Sequence, residues 1–191
     1  MHESELHKKL HDQIVRRLEH TDIPHKPVII TFCGIPGSGK TSLATRLARD
    51  LQGQYVQTDE MRRIAREQFG VKKVAVHPPA RQVLTTITAN HANKLIVFDC
   101  SIDHTWRDFL RDCQEIGTVP IIIRIAIDPA EANARLQRRG RHDDAELIEG
   151  TERRLAQFEA CKKELRADIE VTVPFDYQEV LDAVRKRLTQ L

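Results

Sequence analysis

No run of 18 apolar residues occurs in this chain, so nothing in it reads as a helix through a lipid bilayer. Charge of one sign is also scarce. The 30 basic residues nearly cancel the 28 acidic ones and leave a net charge of +2, which argues for no particular class of partner. Aromatic residues are few and scattered: Trp106, two Tyr and six Phe. That is a thin supply for a groove that stacks successive bases, so a single-strand nucleic-acid site is weakened, though nucleic acid stays open as a partner. Four cysteines, Cys33, Cys100, Cys113 and Cys161, form no Cys-x-x-Cys pair. The expectation is free buried thiols in a reducing compartment, with Cys33 and Cys100 near each other because each borders an apolar strand. The N-terminal stretch is charged and His-rich, without an apolar signal core, and the expected location is cytoplasmic.

Against these absences stands one dense signal. Residues Gly34-Ile35-Pro36-Gly37-Ser38-Gly39-Lys40-Thr41 complete a G-x-x-x-x-G-K-[ST] phosphate-binding loop. A triphosphate needs many donors at close range. Gly34, Gly37 and Gly39 can take backbone angles closed to other residues, so that successive N–H groups turn inward around one phosphate. Lys40 adds a point charge for the β- and γ-phosphates, and Thr41 offers a hydroxyl to Mg²⁺. The flanks agree. Val28 to Cys33 is an apolar, β-branched run that reads as a buried strand. From Ser42 to Leu51 the leucines at 43, 47 and 51 fall every four residues, which predicts a helix whose N-terminus points at the bound anion.

The remaining chain alternates. Strands are predicted at 55–58, 94–99, 119–127 and 170–173, and helices at 60–69, 79–93, 105–116, 129–139, 144–166 and 177–190, with a break around Gly140. This pattern predicts an α/β, three-layer P-loop NTPase fold: a five-stranded parallel sheet with helices on both faces and a small arginine-rich lid. Ligands of such sheets sit at the strand C-terminal ends, where Gly34, Asp59, Asp99 and Asp128 fall. Ahead of this domain, Leu6, Leu10, Ile14 and Leu18 at four-residue spacing predict an amphipathic helix ending before Thr21-Asp22-Ile23-Pro24. Its stripe is expected to pack on the domain, and His7 and His11 read as a solvated face. The expected organisation is residues 1–26 as helix and linker and residues 27–191 as the main domain, with its lid at about 130–146.

Three groups of side chains carry candidate chemistry. Asp99 closes the third strand, a position from which a carboxylate can hold Mg²⁺ beside Thr41. Cys100 follows it where a motor ATPase would place a second carboxylate to activate water, which disfavours pure hydrolysis. Asp59 ends the second strand and lies three residues before Arg62, so the two share a face of the starting helix. A hydroxyl acceptor needs a base near its proton and a cation near the transferred group; Asp59 can also cap the helix. Between Arg135 and Arg141 four arginines crowd a helix end, a supply of guanidinium groups suited to the spread charge of a phosphoryl transition state.

The phosphate loop, Thr58-Asp59-Glu60-Met61-Arg62, Leu95-Ile96-Val97-Phe98-Asp99 and Arg135-Leu136-Gln137-Arg138-Arg139-Gly140-Arg141 together resemble the small P-loop kinases. Among these they are most similar to the branch with polynucleotide 5′-kinase domains, zeta toxins and chloramphenicol phosphotransferase, with gluconate and shikimate kinases more distant. The resemblance runs over about residues 27 to 190. It implies ATP and Mg²⁺ as cofactors and an ATP:alcohol phosphotransferase. Lys40, Asp59, Arg62 and Arg139 would be catalytic, with Asp59 as general base. The loop residues Gly34 to Ser42 and Arg135 would bind nucleotide, and Thr41 and Asp99 would hold the metal. Arg138 fits the lid pattern nearly as well as Arg139, and Pro174-Phe175-Asp176 would fall near the base pocket. The acceptor, a small molecule or a nucleic-acid 5′-hydroxyl, stays open. So does a nucleotide-dependent switch, although Asn93-Lys94 is not followed by the residues a guanine-specific Asn-Lys-x-Asp requires.

Overall fold

The computed structural model describes residues 3–15, 27–71, 75–89, 95–141 and 143–191. In chain order the elements are α1 (Glu3–Val15), β1 (Val28–Cys33), α2 (Lys40–Asp50), β2 (Gln54–Gln57), α3 (Thr58–Phe69), α4 (His77–Ala89) and β3 (Leu95–Ser101). They continue with α5 (Trp106–Ile116), β4 (Val119–Ala126), α6 (Pro129–Arg139), α7 (Asp144–Glu149), α8 (Thr151–Glu164), β5 (Ile169–Thr172) and α9 (Tyr177–Leu188).

All strand pairs are parallel, in the order β2-β3-β1-β4-β5. Parallel strands buried on both faces need continuous apolar runs, and β1 shows why. Val28, Ile30 and Phe32 join Leu43 and Leu47 of α2 and Val180, Leu181 and Val184 of α9 in one core. Ile29 and Cys33 point the other way, into a core with Met61, Val83, Phe109, Phe158 and Cys161. The expected three-layer architecture is therefore observed. β1 is the central strand, flanked by β3 and β4, so the chain leaving it enters the crevice where strand order reverses.

α1 lays Leu6 and Leu10, 3% and 0% exposed, into the second of these cores beside α3 and α4, as its stripe predicts. The side chains of His11 and Ile14, together with Leu18, Thr21 to Pro24, Asn93, Lys94 and His142, lie outside the described residues. No described helix is long and apolar enough to cross a membrane.

Several expectations need correction. The single helix expected over 144–166 is two, α7 and α8, separated at Gly150. The first core helix begins at Lys40, so Lys40 and Thr41 sit on its first turn rather than before it. Asp59 does not end a strand: β2 stops at Gln57 and Asp59 lies in the first turn of α3. Asp99 does not end β3, which runs on to Ser101 with Asp99 in register with Gln57. The sulfur beside Cys33 is that of Cys161 at 3.9 Å, not that of Cys100.

Candidate active site

The phosphate loop connects the end of β1 to the start of α2. Gly37 and Gly39 have φ of 84° and 94°, angles that L side chains avoid. A Cβ on Gly37 would meet the carbonyl oxygen of Ala132 in α6 at 2.5 Å, so the loop is pressed against that helix. A Cβ on Gly39 would meet nothing within 4 Å, which leaves open space on that side of the turn. Gly39 is also the N-cap of α2, without a side-chain capping bond and with no acid in the first turn. The amides and dipole of that turn face no competing carboxylate of their own helix. Lys40 Nζ donates to Gly34 O at 2.6 Å and Ile35 O at 2.9 Å, across the mouth of the loop. Desolvation pushes the Lys40 ammonium below its ordinary value, opposed by the charges of Asp103 and Asp99.

Next to the loop lies Asp99, 6% exposed. Tyr55 donates its hydroxyl to Asp99 Oδ2 at 2.7 Å, and the Thr41 hydroxyl is near enough to favour the ionised form of the same carboxylate. Burial raises the Asp99 carboxyl above its ordinary value, and these hydrogen bonds and Lys40 only partly offset it. Thr41 and Asp99, paired in the sequence reading, are thus brought together. Their hydroxyl and carboxylate are hard oxygen donors beside a phosphate cradle, which is the donor chemistry Mg²⁺ takes. The neighbouring Cys100 thiol is pushed up by burial to about 11, so it is neutral near pH 7.

Asp59 and Arg62 also meet. Arg62 Nη1 donates to Asp59 Oδ1 at 2.5 Å, with the side chains 50% and 63% exposed respectively. The N-cap of α3 is Gln57, and no side chain caps that helix, so the Asp59 carboxylate is not consumed by capping. Asp59 acts electrostatically on Lys40, Asp99, Cys100 and Arg139, which puts it on the same crevice.

α6 starts on Asp128, whose side chain accepts from the amides of Ala130 and Glu131 at 2.9 and 3.0 Å, and ends at Gly140 with φ 64°. On it, Arg135 donates to Glu131 at 2.6 Å. Arg139 is gripped by the buried Asp144 through Nε and Nη2.

Three residues that matter here were not singled out in the sequence. Asp103 accepts from the Gly34 amide with both oxygens, at 3.2 and 3.1 Å, and also takes the Ser101 hydroxyl, which reaches Gly34 O as well. Asp103 therefore fixes the first residue of the loop. Tyr55 orients Asp99, and Asp144 orients Arg139. The available signal was weak: an acid two residues past a strand, a Tyr on a short strand, and one acid of a pair.

Fold and phosphate loop together define a protein of the P-loop NTPase class. The chain belongs to the AAA domain family, whose model matches residues 29–165. Among solved structures it is similar to a sugar kinase from Janibacter sp. HTCC2649, with 20% identity, 87% of this chain and 95% of that one covered, and a TM-score of 0.60. It is also similar to a gluconokinase from Sinorhizobium meliloti 1021, with 17% identity, 86% and 92% covered, and a TM-score of 0.51. The resemblance to small P-loop kinases read from the motifs is borne out in the fold. No curated protein matches the sequence.

Proposed function

We propose that this protein is an ATP-dependent kinase that transfers the γ-phosphoryl group to a hydroxyl of a small, hydroxyl-bearing acceptor. Residues 27–191 form the catalytic unit and about 130–146 its lid. The observation that carries the reading is Asp59: an exposed, non-capping carboxylate, paired with Arg62, whose charge reaches both Lys40 and Asp99. A protein that only bound nucleotide would have no use for an open base and a guanidinium beside the phosphate cradle. The sugar kinase and gluconokinase that share the fold favour a small polyhydroxylated acceptor over a nucleic-acid end, and the near-neutral charge of the chain agrees.

In this mechanism the loop Gly34 to Ser42, through its amides other than that of Gly34, which Asp103 holds, and with Pro36 offering none, wraps the phosphates of ATP together with the Lys40 ammonium. Thr41 and Asp99 would hold Mg²⁺, which would supply neutralising charge to the phosphate oxygens. Asp59 takes the acceptor's proton as its oxygen attacks. Arg62, displaced from its bond to Asp59, and Arg139 face the charge that spreads over the transferring group. Arg135 contacts the nucleotide.

ADP release from Mg-ATP, measured against a panel of sugars, sugar acids, other alcohols and 5′-hydroxyl oligonucleotides, tests the reading. A kinase shows turnover that rises with one acceptor class and a phosphorylated product. Slow hydrolysis indifferent to every acceptor would instead make the protein a nucleotide-dependent switch.

A further inference from the structure

We propose that Cys33, Cys161 and Asp103 form a buried site for one thiophilic divalent cation of the Zn²⁺ class, separate from the oxygen-donor pair Thr41 and Asp99. The three ligand atoms lie within 4.8 Å of one another, and the residues are 0%, 1% and 9% exposed. They come from three separate places: the end of β1, the helix α8, and the turn after β3.

The separations suit a shared ion. Two thiolates at about 2.3 Å from a tetrahedral zinc stand roughly 3.8 Å apart, and the sulfurs here are at 3.9 Å. A disulfide would require about 2.05 Å. The third donor is a carboxylate with capacity to spare. Among the described residues Asp103 Oδ1 accepts only the Gly34 amide, and a carboxylate oxygen has a second lone pair.

Charge supports the same assignment. When the ion binds, two S–H bonds break, two metal–sulfur bonds form and two protons pass to solvent, leaving two thiolates and one carboxylate around the cation. That is three negative charges. Arg124, 4% exposed and paired in register with Cys33, acts electrostatically on both sulfurs and contributes one positive charge. Arg124 also pairs with Glu170, so its charge is shared, and a single divalent cation offsets two of the three negative charges that would otherwise stay buried together. Among the described residues the set stops at three ligands, so the fourth position of a tetrahedral ion falls to water. The soft sulfurs select against Mg²⁺ and for zinc or its analogues.

Such an ion would tie the strand that ends at the phosphate loop to the helix that follows the lid. The test is made on the full chain, reduced and stripped with chelator. Zn²⁺ is titrated in competition with a chromogenic chelator, Co²⁺ is used as a spectroscopic probe, and melting is followed with and without Zn²⁺. The expected results are one ion per chain, a thiolate-to-cobalt charge-transfer band, and a melting temperature raised by Zn²⁺. In Cys161→Ser the band and the thermal shift should vanish, while Cys113→Ser, a buried thiol elsewhere, should keep both. Wild-type chain that takes up no Zn²⁺ and gives no cobalt–thiolate band overturns the proposal without recourse to any variant. Binding undiminished in Cys161→Ser overturns it as well. None of these readouts involves phosphate transfer, so the site stands or falls independently of the kinase reading.

Discussion

Replacing Asp59 by Asn separates a base from a structural acid, because the geometry around it predicts opposite sizes for the two effects. The carboxylate is 63% exposed and bonds Arg62, which is itself half exposed. Exposed i,i+3 pairs of this kind contribute about 0.3–0.5 kcal/mol. No capping bond is lost, since α3 is not capped by a side chain. The fold should therefore lose at most about 0.5 kcal/mol, a melting shift of roughly 1–2 °C for a domain of this size. Catalysis should fall far more. A positioned general base contributes about 10²–10⁴ in rate, or roughly 3–5 kcal/mol of transition-state stabilisation. Asn keeps the shape and accepts a hydrogen bond but cannot take the proton.

Nucleotide affinity should not fall with it. Asp59 lies close enough to act on Lys40 and Asp99, so removing its negative charge slightly favours a bound triphosphate. The assay is paired: ADP release with the acceptor found by screening, and calorimetric ATP binding on the same preparations, with melting curves as control. A variant that retains full acceptor-dependent turnover refutes the assignment of the base. A variant that loses turnover together with several degrees of melting temperature shows that Asp59 supports the fold instead.

Lys40→Ala should abolish phosphorylation and weaken ATP binding, measured by the same calorimetry. Because desolvation lowers the Lys40 ammonium, the native state binds this proton less tightly than the unfolded chain, and near neutral pH that costs stability. The variant should melt no lower than wild type, with any advantage shrinking as pH rises toward the ordinary lysine range. Asp99→Asn should end Mg²⁺-dependent turnover while raising the melting temperature at pH 7. The native carboxyl is raised above its unfolded value, so its ionisation is a cost present above that raised value and absent below the ordinary carboxylate range. The gain should close as the pH falls through that range, and a lower melting temperature at pH 7 would contradict the account. Gly37→Ala adds a Cβ at φ 84° and 2.5 Å from the Ala132 carbonyl, so both the loop and α6 must move. The positive φ alone costs about 1–2 kcal/mol, so melting should drop by at least about 2 °C and ATP affinity should fall; an unchanged affinity would sink the argument.

What could be read in the sequence was what is local. The phosphate loop, the strand before it and the helix after it are contiguous, and their periodicities are set by neighbours in the chain. The inner strands β1, β3 and β4 were legible as apolar runs because a parallel sheet buries both faces of its inner strands, whereas the edge strands β2 and β5 are short, mixed segments whose burial alternates. Apart from Asp144, which lies near Arg139 in the chain, what escaped was built by pairs brought together only by the crossovers. Tyr55 meets Asp99 across 44 residues, Gly34 meets Asp103 across 69, and Cys33 meets Cys161 across 128. No spacing rule links such pairs. Their adjacency follows from the strand order, in which β1 is neighbour to β3 rather than to β2. The misplaced boundaries at Lys40, Asp59 and Asp99 have another cause: each lies where strand gives way to turn or turn to helix, and propensity changes little there while hydrogen bonding changes completely.

The two arginines proposed for the lid differ in how they are held. Arg135 and Arg139 are one helical turn apart, yet they are held by different kinds of acid. Arg135 pairs with Glu131 on its own helix, with 34% and 42% of the two side chains exposed. Such a pair contributes only a few tenths of a kcal/mol, so a phosphate or base can displace it readily. Asp144, which holds Arg139, is 3% exposed, comes from α7, and also accepts the Arg141 amide at 2.7 Å. Breaking that grip would strand a carboxylate away from water. In the proposed mechanism Arg139 would therefore act where it already stands, within electrostatic reach of Asp59, whereas Arg135 would follow a ligand. Arg138, exposed and facing neither acid in these contacts, is the weaker candidate for the phosphate-facing position.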